Sequence, residues 1–217
     1  MDLGQQIVII VCIFLVVWYL IFATINRRRG IAMYYWLREG LQVLGDIDES
    51  SWIGSSGSGA RLVVGKAQKP FKRVEMVYLL ESREILPLWI FNRIRGKRDE
   101  IILKATLRSS PVLEVEVARA GDRQMEDMIA KEKQKPYTTT ASQENFAIAQ
   151  RGRPDEAEMK RLEAFINKYQ ANLFRISLQR SSPHLILRSY LPDPKTEPAD
   201  DFFSTLRTWL AGDRDQP

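Results

Sequence analysis

Very few residues in this chain have side chains suited to covalent or metal chemistry. There is one histidine, His184, and one cysteine, Cys12. A Ser-His-Asp arrangement would have to use His184, and no serine sits in a G-x-S-x-G elbow. His184 heads an apolar run, "HLILRSYL", where a structural role is the simpler expectation. Cys12 lies inside a long apolar stretch, so neither a disulfide framework nor a cysteine metal site can form within one chain. Two carboxylate pairs stand out, Glu114/Glu116 and Asp200/Asp201. The first alternates with Leu113, Val115 and Val117, which places both acids on the solvent face of a strand. The second falls in the first turn of a helix, where the macrodipole favours acids. "GSSGSG", Gly54–Gly59, is followed by Gly65-Lys66. A phosphate loop would need glycine at Ala60 and Ser or Thr at Ala67, so nucleotide binding is not expected. These patterns predict no enzyme, no cofactor, no metal and no small-molecule substrate.

What remains is charge and its placement. The 217 residues carry 32 Lys and Arg against 27 Asp and Glu, a net charge of +5. The segment Arg61–Arg108 is net +7, whereas the chain from Ser109 onward is net −1. Within the basic third, "ILPLWIFNRIRGKRDE" passes from apolar to basic and supplies Arg93, Arg95, Lys97 and Arg98. Pro87 suits a first helical turn and Gly96 a C-terminal stop, with the cations at the helix end that favours them. "REILPLWIF" is too uniformly apolar for an exposed helix, so the segment is expected to lie against a sheet. The basic residues are candidates for meeting lipid headgroups or ribosomal RNA phosphates.

The elements that would position this patch begin with "IVIIVCIFLVVWYLIFATI", Ile7–Ile25, which carries no charge. As a helix it is roughly 28 Å long, near the hydrocarbon thickness of a bilayer. Arg27, Arg28 and Arg29 follow it and act as topology determinants. They place a short N-terminus, residues 1–6, outside and the bulk of the chain in the cytoplasm. Trp18 and Tyr19 fall mid-span and are expected to face another transmembrane helix. Residues 26–46 read as a separate juxtamembrane helix ending at Gly45. Residues 47–212 read as a cytoplasmic α+β domain, with a sub-boundary near 121–140, and 213–217 as a frayed tail.

Inside the domain, "ARLVVGKA", "FKRVEMVYLLE", "DEIILKATLR" and "PVLEVEVAR" read as strands, with the basic helix between the second and third. "DRQMEDMIAKEK" reads as a short helix, and "YTTTASQENFAIAQ" as a partner for the sheet. "RPDEAEMKRLEAFINKYQ" is amphipathic through Leu162, Phe165, Ile166 and Tyr169. "NLFRISLQR" and "HLILRSYLP" form a hairpin-like pair. A last helix presents Phe202, Phe203, Leu206, Trp209 and Leu210, with Thr196 as its cap and Gly212 as its stop. The fold class is therefore α+β: one N-terminal transmembrane helix, then an antiparallel sheet with packed helices.

The stretch from "ARLVVGKA" through "LLESREIL" and "EIILKATL", with "INKYQANLFRISLQ", "HLILRSYLP" and "DDFFSTLRTWLAG", resembles the cytoplasmic domain of the calumin family. That family belongs to the PAT complex, which assists the Sec translocon during insertion of multi-pass membrane proteins. The resemblance implies a non-enzymatic factor whose partners are the translocon, the ribosome and nascent membrane proteins. The family's acidic luminal region and basic coiled-coil tail have no counterpart here, so calcium binding does not carry over and ribosome contact would rest on the basic patch. A shortened, prokaryotic or archaeal relative in the plasma membrane is implied, or one in the endoplasmic reticulum if eukaryotic. The alternative is a membrane-anchored scaffold or anionic-lipid-surface module of the cell envelope.

Overall fold

The computed structural model describes residues 2–119, 138–143, 145–151 and 156–211. The helix expected over "DRQMEDMIAKEK", most of the sub-boundary near 121–140, Gly212 and the expected tail lie outside them. The first element is a single helix, α1 (Leu3–Leu41), 39 residues long. The expected span and the expected juxtamembrane helix are therefore one unbroken rod, roughly 58 Å long at 1.5 Å per residue. No proline intervenes to break it, and Asn26 and Gly30, residue types that can cap a helix, are both held inside it. Its two halves meet different surroundings. From Leu3 to Ile25 nearly every side chain is exposed, while Asn26, Gly30, Met33, Trp36, Leu37, Gly40 and Leu41 are buried. Those positions recur at three and four residues, a stripe along one face. Gly45, at φ +143°, takes the chain out of the helix and returns its N–H to the Leu41 carbonyl.

Among the described residues nine strands follow: β1 (Glu49–Trp52), β2 (Gly59–Val64), β3 (Phe71–Leu79), β4 (Glu100–Leu107), β5 (Glu114–Arg119), β6 (Thr138–Gln143), β7 (Phe146–Arg151), β8 (Leu173–Leu178) and β9 (Leu185–Tyr190). They form one sheet in the order β1-β2-β3-β4-β9-β8-β5-β7-β6, and every pairing is antiparallel. The α+β class is as expected. The strand β1 was not, because "ESSW" is too short and polar to show an alternation; it is held as an edge strand by pairing with β2.

A helical layer covers one sheet face. It consists of the second half of α1, α3 (Glu156–Tyr169) and α4 (Ala199–Ala211). The sheet contributes Leu62, Met76, Leu103, Leu187, Ile176 and Val117 to the core, each at most 0% exposed, and the helices contribute Leu37, Leu41, Phe165, Phe203 and Leu206. Phe165 stacks on Trp209 at 4.9 Å, which joins α3 to α4. Trp36 joins α1 to the segment before α4 by donating Nε1–H to the Glu197 carbonyl at 2.6 Å. Thr196, three residues ahead of Ala199, is not the cap of α4; its hydroxyl bonds back to the Asp193 carbonyl.

The opposite sheet face carries cross-strand ion pairs: Arg61 with Glu49 and Glu75, Arg188 with Glu100, Arg175 with Glu116 and Arg151 with Glu114. Glu116 departs from its expected solvent position. It is only 5% exposed and takes the Ser177 hydroxyl as well as the Arg175 guanidinium. Burial pushes its carboxyl above the ordinary range, against the lowering effects of Ser177 and Arg175. Alternation gave the strand correctly but not the cover over its second face.

Candidate functional site

The basic segment folds as α2 (Leu86–Ile94), with Pro87 in its first turn. Its C-terminus closes as the spacing of Gly96 predicts. Gly96, at φ +73°, donates its N–H to the Arg93 carbonyl, and Lys97 donates to the Asn92 carbonyl, both at 3.0 Å. This is the Schellman pattern, which a left-handed glycine permits. The placement of α2 is a correction. It does not lie on the sheet, and none of its residues is buried. Apolar composition alone could not distinguish burial against a sheet from exposure beside another apolar element.

That other element is the exposed half of α1. Trp89 lies 5.9 Å from the Trp18 ring and 6.3 Å from Phe22, and Trp18 stacks on Phe22 at 4.2 Å. Trp18 also donates Nε1–H to the Arg83 carbonyl at 2.9 Å. Trp18 thus finds partners within the chain, whereas Tyr19 is exposed.

One turn or two further along α1, Asn26 is a polar hub only 1% exposed. Its amide nitrogen donates to the Glu81 carbonyl at 2.8 Å and to the Glu84 carboxylate at 2.9 Å, and its oxygen accepts from Arg83 at 3.0 Å. Arg83 continues to Asp99 at 2.7 Å, and Asp99 accepts the Glu81 backbone N–H at 2.8 Å. Arg29 reaches the same Asp99 carboxylate at 3.1 Å. The two ends of the α2 excursion are therefore tied to α1 by one network of charge-assisted hydrogen bonds. Burial, and next the Asp99 carboxylate, push the Glu81 carboxyl upward against Arg83, Arg93 and Arg29. Sequence reasoning missed this hub. A lone asparagine closing an apolar run was the available signal; the Arg83–Asp99 pairing had none.

Arg93, Arg95, Lys97 and Arg98 are all exposed. Arg95, Lys97 and Arg98 line an open cleft of about 460 Å³, with Glu81, Glu100, Arg188, Phe174 and Tyr190 on its other walls. Arg93 stands outside it. Arg95 lies 4.0 Å over the Phe91 ring and Arg98 5.1 Å over Tyr190, so both guanidinium groups rest on aromatic faces. Of the topology arginines, Arg27 and Arg28 are exposed, and Arg29 meets the patch loop through Asp99, the neighbour of Arg98. The seven basic residues named from the sequence thus gather at the end of the domain where α1 leaves it.

Among the described residues this surface offers cations and aromatic faces. His184 is remote in role: its Nδ1 accepts the Leu107 backbone N–H at 2.9 Å. Among the described residues, no three His, Cys, Asp or Glu side chains gather as a metal ion would need. No protein-family model matches the chain, and no curated protein matches it. Among the described residues α1 is the one helix long and apolar enough to cross a membrane.

Proposed function

We propose that this chain is a non-enzymatic, membrane-anchored module that holds its α+β domain in a fixed pose at an anionic bilayer surface. The observation carrying this reading is the continuity of α1. Its exposed apolar half and its buried half belong to one helix without a loop between them. A span joined by a flexible linker would leave the domain free to tumble, whereas here the anchor is also a core element. Arg93, Arg95, Lys97, Arg98 and the arginines after the span lie at the end of the domain from which the span emerges, where anionic headgroups attract basic side chains. With the arginines retained inside, the domain is cytoplasmic.

The test is extraction from native membranes. The full chain stays in the membrane pellet through high salt and alkaline carbonate and is released by detergent. Release by salt or carbonate alone would overturn the anchor.

A narrower reading follows from the resemblance to calumin: a factor assisting membrane-protein insertion at the Sec translocon, with the patch meeting ribosomal RNA. The exposed cleft of Arg95, Lys97 and Arg98 beside Tyr190 and Phe174 supports it, because RNA phosphates and bases would find both cations and ring faces. Ribosomes from detergent extracts would then co-sediment with the chain at low salt and lose it steeply as salt rises. No co-sedimentation at any salt would remove this reading and leave the anchored module standing.

A further inference from the structure

Ten large hydrophobic side chains after Ile25 are exposed among the described residues, and five of them, Ile85, Leu88, Ile90, Phe91 and Ile94, lie in or beside α2. An apolar helix with no buried residue needs an apolar neighbour that the domain itself does not supply. Its position says which one. Trp89 meets α1 at Trp18 and Phe22, five to nine residues ahead of Arg27. At 1.5 Å per residue this stands roughly 8–14 Å toward the span from the first arginine.

We infer that α2 is itself a membrane element. It lies in the interfacial layer of the leaflet on the domain's side, with Leu88, Ile90 and their neighbours among acyl chains and Arg93, Arg95, Lys97 and Arg98 at the headgroup phosphates. The inference rests on reading α1 as a span. Nine residues make a helix of roughly 14 Å, too short to cross, so α2 lies at the interface. Interfacial helices bury an apolar face roughly 5–10 Å deep and hold basic residues at the headgroups.

A second observation supports the depth. Backbone entering an apolar layer must have its polar groups satisfied by protein. At the approach to α2 several are: the Glu81 carbonyl accepts from Asn26, the Glu81 N–H donates to Asp99, and the Arg83 carbonyl accepts from Trp18. The lipid is favoured over a protein partner because the exposed face is continuous with the exposed apolar half of α1 and ends in cations.

Spin labels test this in the full chain reconstituted into nanodiscs of mixed neutral and anionic phospholipid. In a Cys12→Ser background, Leu88→Cys and Ile90→Cys are labelled, with Val16→Cys as the span control and Val112→Cys as the exposed control on the domain. Collision with oxygen should exceed collision with a water-soluble nickel chelate several-fold at 88, 90 and 16, with the reverse at 112. Labels at 88 and 90 that behave like 112, while 16 stays lipid-exposed, overturn the inference and leave the anchor intact. Low collision with both reagents at 88 and 90 would mean a protein cover and overturns it equally. Water exposure at 16 would sink the anchor reading itself.

Discussion

Asn26 closes the apolar run and precedes three arginines, yet it is among the least exposed polar residues of the molecule. Its amide serves three partners on the α2 excursion. Asn26→Leu leaves those partners facing an aliphatic chain, and a buried hydrogen-bonding group left unpaired costs about 1–3 kcal/mol. The expected loss is about 2–3 kcal/mol, read as a lowered melting midpoint in detergent. Gly30 makes a sharper test because two effects oppose. In an exposed helix Gly→Ala would stabilise by about 1 kcal/mol. Here a Cβ would collide with the Ser56 carbonyl of the β1–β2 loop, and Tyr78 already donates its hydroxyl to the Gly30 carbonyl at 2.7 Å. Gly30→Ala should therefore destabilise, by about 1–3 kcal/mol. Glu116 gives a pH prediction. Its folded-state carboxyl titrates above its unfolded value, so ionisation costs stability as pH rises through that interval. Glu116→Gln removes that cost. Chemical denaturation at several pH values from 4 upward should show the variant gaining on the wild type as pH rises; a constant difference would refute the assignment.

At the scale of elements, α1 belongs to two environments, and truncation separates them. A chain beginning at Asn26 keeps Met33, Trp36, Leu37, Leu41 and Leu44 in the core. A chain beginning at Ile47 loses all five. Each is worth about 1.5–3 kcal/mol on burial, so the loss rivals the whole stability of an ordinary domain. The first truncation should give a folded domain with a cooperative melt, and the second an aggregating one. Elements were also where sequence reading succeeded and failed most clearly. Periodicity located α3 through Leu162, Phe165 and Ile166, and alternation located β3 through Val74, Met76 and Tyr78. Both rest on local spacing that burial then enforces. The placement of α2 was not legible, because uniform apolarity says that a helix needs cover without saying which element supplies it. The sheet order was equally hidden: β5 sits between β8 and β7, and no local signal encodes such non-sequential pairings.

Over the whole molecule, the basic third of the sequence becomes a surface only through folding. Arg29 and Arg98 are far apart along the chain, yet Asp99 brings their neighbourhoods together. The four candidate residues were identifiable by composition; the aromatic walls from Phe174 and Tyr190 were not, since β8 and β9 arrive from the far end of the sequence. The chain beginning at Asn26 lacks the apolar half of α1 but keeps α2 and the basic patch. It should bind anionic vesicles more tightly than neutral ones, with each basic side chain near the surface contributing about 1 kcal/mol. Reversing Arg93, Arg95, Lys97 and Arg98 to Glu should weaken pelleting with anionic vesicles at low salt toward the level seen with neutral ones, and 0.5 M salt, on the order of that needed to shrink screening lengths well below 10 Å, should act in the same direction. Pelleting that ignores both changes would point away from headgroup contact.

The unbroken α1 has a mechanical consequence. A membrane span longer than the local hydrocarbon layer accommodates by tilting, and a span hinged to its domain would absorb that tilt in the hinge. This rod has no hinge: the same helix that tilts is gripped by the sheet and by α4 over its second half. With α1 as the proposed span, a thinner bilayer would swing the entire domain as one body about the leaflet surface, pressing one rim toward the headgroups and lifting the opposite rim away. Local bilayer thickness would then become an angle of the domain, a quantity that a binding partner approaching from solution could sense without touching a lipid.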